Sequence, residues 1–191
     1  MHDGRPSVRK VTAALKGIPG MIPARRCELH YLLAVTQPID GDIVEVGSWQ
    51  GRNTCYLAAA CRDSGNGIVH AIDHFKGNPG KEQYYMVKGV DDLEAGFRAN
   101  VAAAGLDAWV ELHNVDVASV EIDGPVRMLI VDGEHSYDAV KRDLALFTGK
   151  VPSGGLVIFD DYSPEFPGVV EAVNEWADGG VQIDNSLIVT V

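Results

Sequence analysis

At 191 residues the chain is long enough to bury one sizeable core and too short for a second. A 46% hydrophobic and 23% charged composition is that of an ordinary globular protein, and no apolar run approaches the roughly 18 residues of a membrane span. The formal net charge of −11 repels a phosphate backbone, and basic clusters are confined to short pairs such as Arg25-Arg26, so neither a nucleic-acid nor a membrane partner is expected.

Residues 1–191 read as a single domain, with a helical segment over 1–40 and a core over 41–191. No apolar signal core follows the opening "MHDGRPSVRK", which sets the expectation of a cytoplasmic location. Pro23 suits the first turn of a helix running to Leu33. Short β-branched runs then recur at 42–46 (DIVEV), 68–73 (IVHAID), 109–113 (WVELH), 126–132 (VRMLIVD) and 155–160 (GLVIFD). Helical patterns separate several of them: Leu93, Phe97 and Val101 before Gly105, then Tyr137, Val140, Leu144 and Phe147, then Val169, Val173 and Trp176. This alternation predicts an α/β fold, a doubly wound, Rossmann-like sheet with helices on both faces. Two short runs around Asp184-Asn185-Ser186 add an antiparallel hairpin, giving seven strands. Residues 74–92, with Tyr84 and Tyr85, form the longest break, and a loop of that length in a compact domain is often a binding loop. Cys27, Cys55 and Cys61 show no CxxC spacing and read as packed, reduced thiols.

The first strand runs into "EVGSWQG", Glu45 to Gly51, at the position where open α/β sheets bind ligands. A dinucleotide fingerprint wants a glycine where Trp49 stands, so a close seat for a pyrophosphate is missing. Asp73, ending the second strand, suits a ribose diol. A nucleoside without phosphates is therefore favoured. With these residues the chain resembles the class I methyltransferases that bind S-adenosylmethionine, from about Gly20 to the closing hairpin. The resemblance implies that Glu45, Gly47, Ser48 and Gly51 line the methionine part, that Asp73 holds the ribose, and that Asp116 lies by the adenine, with Asp132 bordering the same crevice. A helix cap is the competing reading of Asp116.

Two later strands end on acids at the same sheet edge, "IVDGEH" at Asp132 and "VIFDDY" at Asp160-Asp161. If these carboxylates converge to about 4 Å, each like-charge pair costs roughly 4 kcal/mol at an effective dielectric near 20, which calls for a cation. Oxygen ligands suit magnesium, with manganese or calcium as alternatives. Successive strand residues point to opposite faces, so Asp161 joins Asp160 only if the strand has already ended. The competing reading gives Asp160 a backbone NH and Asp161 a turn before Pro164. "DGEHSYD" with "DDY" resembles the metal-dependent sugar and cephalosporin-type O-methyltransferases, which implies Asp132, Asp160 and Asp161 as ligands of Mg2+ (or Mn2+). It implies His135 as the base, with Glu134 in reserve, and a hydroxyl of a sugar or polyhydroxylated natural product as acceptor. A metal-free methyltransferase, a non-catalytic module that binds the nucleoside, and a nicotinamide oxidoreductase are the rival readings. Acceptor identity and self-association stay open.

Overall fold

The computed structural model describes residues 7–77 and 92–191. Thirteen principal elements follow one another among these residues: α1 (Val8–Ala14), α2 (Ala24–Thr36), β1 (Asp42–Val46), α3 (Arg52–Ser64), β2 (Val69–Ile72), α4 (Leu93–Ala103), β3 (Val110–His113), β4 (Val126–Val131), α5 (Tyr137–Phe147), β5 (Leu156–Phe159), α6 (Pro167–Trp176), β6 (Val181–Ile183) and β7 (Ser186–Thr190). The sheet order is β3-β2-β1-β4-β5-β7-β6, with the first five strands parallel and β7 antiparallel to both β5 and β6. The α/β, doubly wound expectation with a closing hairpin is met. The order reverses between β1 and β4, which opens a crevice at their carboxyl ends.

Two apolar layers sandwich the sheet. Cys27, Tyr31, Leu57 and Phe97 from α2, α3 and α4 pack on the face carrying Ile43, Val69, Ala71 and Met128. On the opposite face Val140, Leu144 and Phe147 of α5 and Val169 and Val173 of α6 meet Val44, Leu129, Val131 and Val157. The i, i+3, i+7 periods read from the sequence are therefore the buried stripes of α5 and α6. Cys27, Cys55 and Cys61 are unpaired and buried, and burial pushes their thiols up to about 12, 12 and 11.

One structural residue has no local signal in the sequence. Arg127 of β4 is fully buried and donates to the carbonyls of Gly41 (2.9 Å), Ala34 (2.6 Å) and Asn66 (3.0 Å). The carbonyl of Ala34 belongs to the last turn of α2, where unpaired carbonyls favour a cation. Arg127 thereby fastens the N-terminal helical segment to the sheet. No helix among the described residues is long and apolar enough to cross a membrane.

Candidate active site

The first glycine turn is shaped by close backbone approach. Gly47 has φ +89°, and a Cβ there would fall 2.1 Å from the carbonyl oxygen of Asp132, so only glycine lets the ends of β1 and β4 touch. Trp49 is also left-handed, at φ +45°. Asp73 ties the turn down: its Oδ2 accepts from the backbone NH of Ser48 (3.1 Å) and Trp49 (2.9 Å), and its Oδ1 from Phe75 NH (2.7 Å). A carboxylate offers about four acceptor positions, so these three bonds leave one for a ligand hydroxyl. Gly51, at φ +82°, starts α3.

Glu45 lies behind this turn and is 1% exposed. It accepts from Asn53 Nδ2 (2.8 Å) and from the hydroxyl of Thr54, while Asn53 Oδ1 meets His30 Nδ1 at 2.9 Å. Burial raises the Glu45 carboxyl to about 7, against the pull of the Thr54 and Asn53 bonds. A cleft bordered by Gly20, Met21 and Ile22 on one side and by Glu45, Gly47, Ser48, Arg52 and Asp132 on the other lies over the turn. Asp116 is exposed and accepts from Ala118 NH at 2.9 Å, capping the short turn Val117–Ser119. The capping reading thus describes its contact.

The acids after β4 and β5 do converge, through a backbone device. β5 ends at Phe159, and Asp161 adopts φ +55°, which frees it from strand alternation. Asp132, His135 and Asp161 offer ligand atoms all within 4.8 Å of one another. His135 Nε2 stands 3.3 Å from Asp161 Oδ2, its ring edge-on to Phe166 with centroids 4.4 Å apart. Asp161 Oδ1 accepts from Asn185 Nδ2 at 2.9 Å. Burial, and then the like charges of Asp160, Asp161 and Glu45, hold the Asp132 carboxyl well above the usual carboxylate range. Glu134 is half-buried in the same turn. Ser136 caps α5 by accepting from Ala139 NH at 3.3 Å. Gly133 does not use a left-handed backbone: a Cβ there would lie 3.1 Å from Val46 Cγ1, so space on β1 rather than a sharp turn favours glycine.

Asp160 is the departure from the expected trio. It is buried against Arg26, whose Nη1 donates to its Oδ1, and Ser186 Oγ donates to the same oxygen at 2.6 Å. Arg26 Nη1 also reaches Ser186 Oγ at 2.9 Å. These contacts all fall on Oδ1, so Asp160 reaches a cation through Oδ2 or after Arg26 turns away. Arg26 and Ser186 were missed by sequence reasoning, and the sole hint was the Arg25-Arg26 pair. Residues 78–91, which include Tyr84 and Tyr85 of the expected binding loop, lie outside the described residues.

Residues 44–162, from the glycine-turn strand to the paired acids, match a family model described as a methyltransferase domain. The chain belongs to this methyltransferase family. Solved methyltransferases share its fold: the O-methyltransferase NovP is 24% identical, with 90% of this chain and 81% of that one covered at a TM-score of 0.74. TomG, an O-methyltransferase from Streptomyces achromogenes solved in complex with S-adenosylmethionine, is 16% identical and covers 100% and 91% at 0.64. CalS11, a TDP-rhamnose 3'-O-methyltransferase, is 16% identical and covers 96% and 92% at 0.61.

Proposed function

We propose that this methyltransferase transfers a methyl group from S-adenosylmethionine to a hydroxyl of a small sugar or polyhydroxylated molecule, with a divalent cation at the acids after β4 and β5. The observation that carries it is the convergence of Asp132, His135 and Asp161 beside the Gly47 turn. The O-methyltransferases that share the fold support the choice of oxygen as acceptor.

The residues fit the cofactor. The cleft against Gly20 to Ile22 opens onto the Gly47 turn, and Asp73 retains an acceptor position for a ribose hydroxyl. They also fit a cation: Asp132 is held away from ionisation by burial and then by its acidic neighbours, and Mg2+ or Mn2+ would relieve that repulsion. Asp132 and Asp161 would hold it, joined by Asp160 through Oδ2. Such an ion supplies a Lewis acid that lowers the pKa of the acceptor hydroxyl. His135 then takes the hydroxyl proton on an imidazole whose position is fixed by Asp161 and Phe166, with Glu134 as the alternative acceptor. The cleft and Asp73 would hold the nucleoside, and a cofactor seated there would supply the methyl sulfonium to the acceptor oxygen.

A polyol and phenol panel with labelled S-adenosylmethionine tests this reading. Chelation should abolish transfer and magnesium or manganese restore it, while His135→Gln lowers the rate by about 10² to 10⁴ with cofactor affinity little changed. Transfer indifferent to chelation would favour the metal-free chemistry. A near-normal rate in His135→Gln with collapse in Glu134→Gln would move the base role to Glu134.

A further inference from the structure

A second cluster of ligating side chains stands apart from the acids after β4 and β5. His70 of β2 pairs in register with Glu111 of β3, and His113 follows Glu111 by two residues, so all three project from one face of the sheet. It is the face that α5 and α6 cover over β4 and β5. The link from β3 to β4, residues 114–125, contributes only the three-residue turn Val117–Ser119 and no α-helix, so this link places no helix, among the described residues, over the outer strands of this face. Three polar, ligating residues occupy that ground.

Their spacing is that of a coordination shell. His70 Nδ1 and His113 Nε2 lie 3.1 Å apart, His70 Nδ1 and Glu111 Oε2 3.6 Å, and His113 Nε2 and Glu111 Oε1 3.8 Å. Tetrahedral ligands about 2.0 to 2.1 Å from zinc stand about 3.3 to 3.4 Å from one another, so small side-chain shifts suffice. Asp42 adds an independent observation: its Oδ2 lies 3.3 Å from His70 Nε2, while its Oδ1 accepts from Ile68 NH at 2.8 Å and is thereby fixed. A carboxylate that accepts a hydrogen bond from the Nε2–H keeps the proton on that nitrogen and leaves the Nδ1 lone pair facing His113 and Glu111, the second-sphere arrangement common to metal-bound histidines. Glu111 is exposed and free to turn onto an ion.

We propose that His70, His113 and Glu111 form a binding site for a zinc-class divalent ion, with Asp42 as the positioning residue for His70. Two imidazoles and one carboxylate select zinc, nickel or copper over magnesium. Three protein ligands leave a fourth position to water. The site joins β2 to β3 and is separate from the acids assigned to the methyl-transfer cation.

The test uses full-length Asp132→Asn/Asp161→Asn protein, so that the acidic site does not report, stripped with chelator and titrated with zinc chloride by calorimetry. One equivalent should bind, and crystals grown with zinc should give an anomalous peak between His70 Nδ1, His113 Nε2 and Glu111. Adding His113→Gln should weaken zinc binding by more than about 100-fold, and adding Asp42→Asn by about 10- to 100-fold. His113→Gln alone should melt like the wild type in chelator, which separates ligand loss from misfolding. Equal zinc affinity with and without His113→Gln, or an anomalous peak elsewhere and none here, overturns the site.

Discussion

Removing Arg26 isolates the contact that most changes the acidic cluster. Arg26 and Asp160 are 7% and 5% exposed, and Ser186 is 1% exposed, so water does not replace the guanidinium when it is lost. Arg26→Met keeps an unbranched apolar stem but leaves Asp160 with the Ser186 hydroxyl alone. Loss of one partner of a buried pair costs about 3 to 5 kcal/mol, chiefly the uncompensated charge of the other. Urea denaturation in chelator near neutral pH should show a loss of that size. Arg26→Met/Asp160→Asn should recover most of it, because no buried charge then remains. Magnesium added afterwards should stabilise the single variant more than the wild type, since Asp160 lacks its cation there. A loss below about 1 kcal/mol, the range of solvent-screened pairs, or a double variant no better than the single, would refute this account of Asp160.

Glu45 gives a pH signature with a definite sign. Its folded-state pKa is raised from the ordinary 4.5 to about 7 by burial, so the folded protein keeps a proton that the unfolded chain releases. Stability from this group is full below about 4.5, falls as pH rises toward about 7, and levels off above. Glu45→Gln should remove that slope and be more stable than wild type in mild alkali by up to about 3 kcal/mol, measured without cofactor; parallel pH profiles for the two proteins would sink the point. Gly47→Ala should cost at least about 2 kcal/mol in denaturation, the left-handed penalty plus the parting of β1 from β4. A loss within about 0.5 kcal/mol would mean the turn relaxes freely, contrary to the 2.1 Å approach.

Strand identity is legible because four of the five β-branched runs are bounded by glycine, proline or acid, WVELH between Ala108 and Asn114 being the exception, and DIVEV is β1 without a residue's change. That Asp132 and the pair Asp160-Asp161 stand at one sheet edge is legible because β4 and β5 are parallel neighbours; the cluster of ligand atoms takes in Asp132 and Asp161, whereas Asp160 turns to Arg26. That Asp161 escapes strand alternation through a left-handed backbone is not legible, since nothing local distinguishes it from Asp160. Arg26 meets Asp160 across 134 positions of sequence, a separation no periodicity encodes. Glu45 borders the cleft over the Gly47 turn, and its carboxylate also accepts from Asn53 and Thr54 of α3, a packing relation visible only once the helix is placed. The polar residues of β2 and β3 read as ordinary strand residues, because their gathering on one face emerges only from the register of β2 with β3.

Calorimetric titration of the full chain with S-adenosylhomocysteine and, separately, with NAD tests the central claim most directly. The Gly47 turn, the remaining acceptor position of Asp73 and the place of Trp49 predict micromolar binding of S-adenosylhomocysteine, weakened by about 1 to 3 kcal/mol in Asp73→Ala, with no response to NAD. Micromolar NAD binding with no response to S-adenosylhomocysteine would contradict it.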